Sequence, residues 1–340
     1  MCNVLAPGQR LLMRKLLSPT FSAAVTVAVM AALGALLPGC SLPLAGGGCS
    51  AGRVSPFTGE QAAGPRPVLA VKIDNIVFAR PQTGLTKADI VYLFPVEGGL
   101  SRIMAVFSSH FPTVIGPVRS AREEDLQLLR EFGRPAFAWS GAQPRLVPVV
   151  RHAHVVSLYA PNRSGFFRSF SRIAPYNLYA RTKRLLAQAP GASHACNIGF
   201  RFGPQPSGGR PTKSFGISYP AASFRFRWSS AKRRWLVWMD GRPALSTEDG
   251  QLGGPTIVIQ YVRVTKSGFF EHGSPPPFAQ TVGSGRALVL RDGRSWRARW
   301  SRAVASAGTT FTLPDGAPMP FARGQVWVVF AFGHGSTWRL

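Results

Sequence analysis

Acidic side chains are scarce in the first half of this chain, so the few that lie near arginines are where chemistry would be sought. The whole sequence holds 14 Asp and Glu against 40 Lys and Arg. Glu123, Glu124, Asp125 and Glu131 fall within one helical stretch, which accounts for them, and Glu60 sits in the approach to the first domain. Asp74, Asp89 and Glu97 remain, each at a strand end or in a glycine-rich turn, with Asn75, Arg80, Gln82, Arg102, Arg119 and Arg122 nearby in sequence. Asp74 follows an apolar run, at the C-terminal end of a strand, where ligand sites of α/β-type sheets gather. Arg119 directly precedes a helix whose free N–H groups and dipole favour an anion. Arg119 and Arg122 would grip a carboxylate or phosphate with paired N–H groups, while Asp74 or Glu97 handled hydroxyls or served as a base. The architectural alternative makes Asp74-Asn75 an Asx turn, Asp89 a cap or ion-pair partner, Glu97-Gly98-Gly99 a tight turn, and Arg119 a lock on one of these acids.

Other motifs carry less. His152-Ala153-His154 has strand spacing that would put both rings on one face, as some zinc sites do. No third ligand is in view and there is no CxxC, so no metal is expected. Gly283-Ser284-Gly285 lacks the strand-turn-helix context of a nucleophile elbow and reads as a turn. No phosphate-loop or dinucleotide motif follows a strand, so no cofactor is expected. Alternating Arg and Trp late in the chain could stack on rings, although most such Trp are core.

The elements that must position these residues follow from pattern. Short apolar runs bounded by turn residues predict strands at 67–73, 89–94 and 103–108. Ser120-Ala121-Arg122-Glu123 has the form of a capping box. Leu126, Leu129 and Phe132 then supply a stripe, and Gly133 with Pro135 ends the helix. A second helix is predicted over 181–188. Residues 191–215, rich in Gly, Pro and Ser, read as an inter-domain linker. Beyond it come half-buried strands at 224–228, 235–238, 255–264, 286–290, 295–300 and 325–330, with hairpin turns at Asp240-Gly241 and Asp292-Gly293. The expectation is an α+β fold: a mixed-sheet N-terminal domain with a few helices over 60–190, then a small β-rich C-terminal domain over 216–335.

The first sixty residues read as an address. Arg14 and Lys15 precede the run 21–37, which ends in Pro38-Gly39-Cys40, the layout of a secretory signal. The ending Leu37-Pro38-Gly39-Cys40 resembles a bacterial lipobox, which implies diacylation of Cys40 after removal of residues 1–39. Met13 could equally be the start. A retained membrane helix is the competing reading, but the run falls short of about 20 residues. Residues 40–59 would form a flexible tether. Cys49 and Cys196 are then the remaining thiols and could pair in an oxidising compartment.

The formal net charge is +26, which points to an anionic partner or to an arginine-rich codon usage. Export removes the protein from cytoplasmic nucleic acid, so nucleic acid is not the expected partner. Phospholipid headgroups, anionic wall polymers and protein partners are.

Four segments resemble the YerB-like lipoproteins, a bacterial family defined by a domain of unknown function with a C-terminal companion. They are Ile73-Asp74-Asn75 with Ala79-Arg80-Pro81-Gln82-Thr83-Gly84-Leu85; Ala88-Asp89-Ile90-Val91-Tyr92 with Val96-Glu97-Gly98-Gly99; Ile115-Gly116-Pro117-Val118-Arg119-Ser120-Ala121-Arg122; and Ala174-Pro175-Tyr176-Asn177-Leu178-Tyr179. Val282-Gly283-Ser284-Gly285-Arg286-Ala287 and Gly324-Gln325-Val326-Trp327 resemble the companion. Tyr176 departs from the pattern, which has His there, and this argues against a catalytic histidine. The resemblance implies the same two-part α+β fold and no established activity.

The candidate pocket is therefore Asp74, Asn75, Arg80, Gln82, Glu97, Arg102, Arg119, Ser120, Arg122 and Asn177, with no catalytic residue assigned. The favoured reading is a binding or scaffold protein, lipid-anchored on the outer face of the cytoplasmic membrane, that holds an anionic envelope ligand or partner. The alternative is an envelope-processing hydrolase or transferase with Asp74 or Glu97 as acid/base.

Overall fold

Alternation along the first strand sets the layers of the molecule. In β1 (Leu69–Asp74) every residue is buried, so Leu69, Val71 and Ile73 serve one face of the sheet while Ala70, Lys72 and Asp74 serve the other. The computed structural model describes residues 52–248, 250–270, 275–333 and 337–339. The expected signal, lipid-bearing Cys40, most of the tether, and Cys49 lie outside them. Cys196 is engaged in a disulfide.

The N-terminal part continues with β2 (Ile90–Pro95), β3 (Ser101–Phe107), α1 (Glu123–Leu129), β4 (Ala136–Trp139), α2 (Leu146–His152), β5 (Val156–Tyr159) and α3 (Thr182–Ala187). The C-terminal part supplies β6 (Ser214–Tyr219), β7 (Ala222–Ser229), β8 (Arg234–Met239), β9 (Thr256–Tyr261), β10 (Gly283–Arg291), β11 (Arg294–Arg302), β12 (Thr310–Thr312) and β13 (Val326–Ala331).

The sheet does not stop at the domain boundary. Its order is β12-β11-β10-β9-β13-β2-β3-β1-β4-β5, and β13 inserts in parallel between β2 and β9. The pairs β1–β4 and β4–β5 are also parallel, so the C-terminal ends of β1, β4 and β5 open on one rim. Strands β6, β7 and β8 form the heart of a second, antiparallel sheet. It covers one face: Phe215, Phe224 and Trp235 share a core with Val71, Leu93 and Trp327. Helix α1 covers the other, where Leu128, Leu129 and Phe132 meet Ala70, Tyr92 and Met104.

Both hairpin turns form as expected. Asp240-Gly241 and Asp292-Gly293 all have positive φ, the two-residue turn whose twist matches the flanking strands. Within 191–215, Ile198 and Phe200 are buried.

Three local readings need correction. Helix α1 begins at Glu123 with Arg122 as its cap, and the Arg122 N–H donates to Asp125 Oδ2 at 2.7 Å. Ser120 therefore lies outside the helix, and the reciprocal bond comes from Asp125 rather than Glu123. His152 ends α2, where its ring contacts the Pro148 carbonyl at 2.8 Å, so His152 and His154 do not share a strand face. Gly283-Ser284-Gly285 opens β10 instead of forming a turn.

Candidate functional site

Two backbone ladders bring the first cluster together. Asp74 closes β1 directly opposite Arg102 of β3. On its other side the Asp74 N–H donates to the Pro117 carbonyl, and the Arg119 N–H donates to that of Lys72. Two guanidinium groups thus meet one carboxylate: Arg102 Nη1 lies 3.1 Å from Asp74 Oδ1, and Arg119 Nε lies 2.8 Å from Oδ2. The Arg119 contact is an ion pair without hydrogen-bond alignment. Asp74 is fully buried, whereas the Arg119 side chain is 25% exposed. Its Nη atoms make no hydrogen bond among the described residues. The guanidinium carbon sits 5.8 Å from the centre of the Tyr176 ring, close enough for cation–π attraction, and Tyr176 stacks on the exposed Phe78.

Beneath this cluster the turn after β1 is braced. Gln82 Nε2 donates to Asn75 Oδ1 at 2.7 Å, Asn75 Nδ2 donates to Ser101 Oγ at 2.9 Å, and Arg80 Nη2 donates to the Asn75 carbonyl at 2.5 Å. Arg80 also pairs with Asp240 of the second sheet. Asn75 and Gln82 are buried, so they hold the turn and do not face solvent. Asn177 binds Arg168 Nη1 and the Ser169 carbonyl; it closes its own loop and makes no hydrogen bond to the Asp74 cluster.

Glu97 belongs to a neighbouring pair. Arg122 grips it with both arms, Nε to Oε1 at 2.7 Å and Nη2 to Oε2 at 2.9 Å. Partial burial pushes the Glu97 pKa up, but Arg122, by charge and hydrogen bond, and Arg102 more weakly, hold it below the ordinary glutamate value. Glu97, Ser120, Arg122, Glu123 and Gln143 line a cleft of about 390 Å³ at the open rim of β1 and β4. Asp89 is not part of it. Its Oδ2 accepts the N–H groups of Ser108 and Ser109 at 2.6 and 2.8 Å, and burial raises its pKa to about 6.

The acids of α1 are more than helix formers. Asp125 is buried and pairs with the equally buried Lys72 at 2.5 Å, whose Nζ lies 4.3 Å from the centre of the Phe94 ring. Glu124 is buried with neither oxygen hydrogen-bonded. Burial raises its pKa to about 8, with Lys72 opposing and Asp125 reinforcing. Glu131 accepts from Tyr92 Oη at 2.8 Å and Thr309 Oγ1 at 3.0 Å. The signal was present in spacing. Glu124 and Asp125 precede the core residues Leu128 and Leu129 by four, which places them on the buried face.

A mixed sheet extended by its own C-terminal half, with an arginine-rich site at the rim of its parallel strands, defines a two-part α+β protein. Family models of a protein of unknown function (DUF3048) match its N-terminal domain at residues 56–195 and its C-terminal domain at 215–328. The chain belongs to this family. It is 46% identical over 81 residues to the candidate lipoprotein YerB of Bacillus subtilis (strain 168), a match spanning 23% of this chain and 24% of that protein. The crystal structure of Bacillus subtilis YerB superposes with a TM-score of 0.73 at 21% identity, covering 84% of this chain and 99% of that one. That likeness establishes the shared fold.

Proposed function

We propose that this is a lipid-anchored, extracytoplasmic binding protein that holds an oxyanion-bearing envelope ligand on Arg119. The state of Arg119 carries the reading. Asp74 restrains its Nε from below, which leaves two unpartnered Nη groups in a fixed orientation beside the Tyr176 ring. A guanidinium held in this way loses little freedom on binding a carboxylate or phosphate.

The pairing of the acids supports binding over hydrolysis. Asp74 lies closed between two guanidinium groups, and Glu97 is gripped by Arg122 and held ionised. A general acid or base needs access to substrate and a pKa near the working pH; Asp74 is fully buried, and Glu97, although partly exposed at the cleft, has its pKa lowered by Arg122. The anchor rests on the Cys40 motif and on the lipoprotein name of the relative.

Co-sedimentation with isolated cell wall tests the ligand. Arg119→Ala should weaken capture about tenfold, and raising salt should weaken the wild type gradually. Unchanged capture by Arg119→Ala would remove the site. Cys40→Ala should move the protein from the membrane to the soluble fraction.

A further inference from the structure

The edge of the large sheet is interrupted at one place. Strand β11 pairs with residues 210–211 at one end, where Ser295 faces Arg210, and with β12 at the other, where Arg299 faces Thr312. Residues 296–298 between them pair with β10 on their inner side and face no strand on this outer edge. This gap opens into a cleft of about 910 Å³, within the range of small-ligand sites. Arg210, Arg286 and Arg297 line it, with Tyr261 and Leu288 among the apolar groups and Asp315 as the lone acid. Among the described residues none of the three guanidinium groups has an ion pair or hydrogen bond, and Arg286 has only the Tyr261 ring, 5.5 Å away.

We infer that this cleft is a second anion site, one that takes a compact phosphate- or carboxylate-bearing ligand with an adjoining apolar or ring portion. The length of the gap decides against a peptide strand. Three residues span roughly 10 Å, too short for an added strand, and both flanks are already paired. The charge sets the sign of the ligand, because three unpaired arginines against one aspartate make a local positive field that favours an anion. The apolar lining decides its body. This site shares no residue with the Arg119 cluster.

The test is titration calorimetry of the full chain with two soluble probes, a short glycerol-phosphate oligomer and a short-chain phosphatidylglycerol below its micelle concentration. The Arg286→Glu/Arg297→Glu variant should bind at least one of them ten or more times more weakly than wild type. Both side chains are exposed, so its circular dichroism and Tm should match wild type. Arg119→Ala should retain this binding, which separates the cleft from the Arg119 site. Preference for the oligomer marks a polymer phosphodiester as the source, and preference for the lipid marks a headgroup. Saturation by neither probe, or equal affinity in the double variant, overturns the assignment.

Discussion

Asp74 and Glu124 are both fully buried carboxylates, and they differ in what stands beside them. Asp74 has two guanidinium partners, so removing its charge leaves two like charges facing each other across a buried space. Asp74→Asn should cost about 3 kcal/mol of unfolding free energy in urea titration. Glu124 has no hydrogen-bond partner, and its folded-state pKa is raised to about 8 from an ordinary 4.5. Between those values the folded state holds a proton that the unfolded state has lost, so stability falls as pH rises, by up to about 1.4 kcal/mol per pH unit. Asp89, raised to about 6, adds a slope of the same sign at the acid end. Glu124→Gln should flatten the decline between pH 5 and 8 and raise stability at neutral pH; a denaturation series across that window reads it. The sequence carried Asp74, Arg102 and Arg119 as neighbours in type and spacing. The spacing of Glu124 four residues before Leu128 points to the buried face, but a charged residue within an amphipathic run defaults to solvent until the partner face is known.

Elements account for which of these groups meet. Most strands were legible because their apolar runs are short and end in Gly, Pro or Asp. Helix α2 was missed because Leu146–His152 contains Pro148 and three valines, a composition that argues against a helix. The cap of α1 was misplaced by two residues because Ser120 and Glu123 fit the usual pattern, while the pull of Lys72 on Asp125 is tertiary. Turns are safer ground. Gly293 has φ 70°, and a Cβ there would approach Trp228 Cδ1 to 2.9 Å. Gly293→Ala should cost about 1–2 kcal/mol, seen as a lower Tm with an unchanged far-ultraviolet spectrum.

At the scale of the molecule, the two parts share one sheet through the parallel pairing of β2 with β13. That pairing was invisible beforehand, since no local pattern tells one apolar strand which distant partner it will take. Residues 52–195 alone would leave the buried edge of β2 unpaired. The full chain should melt in one calorimetric transition, and that fragment should show no cooperative transition of its own; a sharp melt of the fragment would contradict the shared sheet.

Under the proposed function the site is a binder whose acids are occupied in holding arginines. Soluble wall fragments incubated with wild type, Arg119→Ala and Glu97→Gln, followed for both capture and new products by mass spectrometry, test this directly. The expected result is capture without turnover, weakened by Arg119→Ala. Products that form with wild type and vanish in Glu97→Gln while capture persists would make the protein an enzyme and contradict the account.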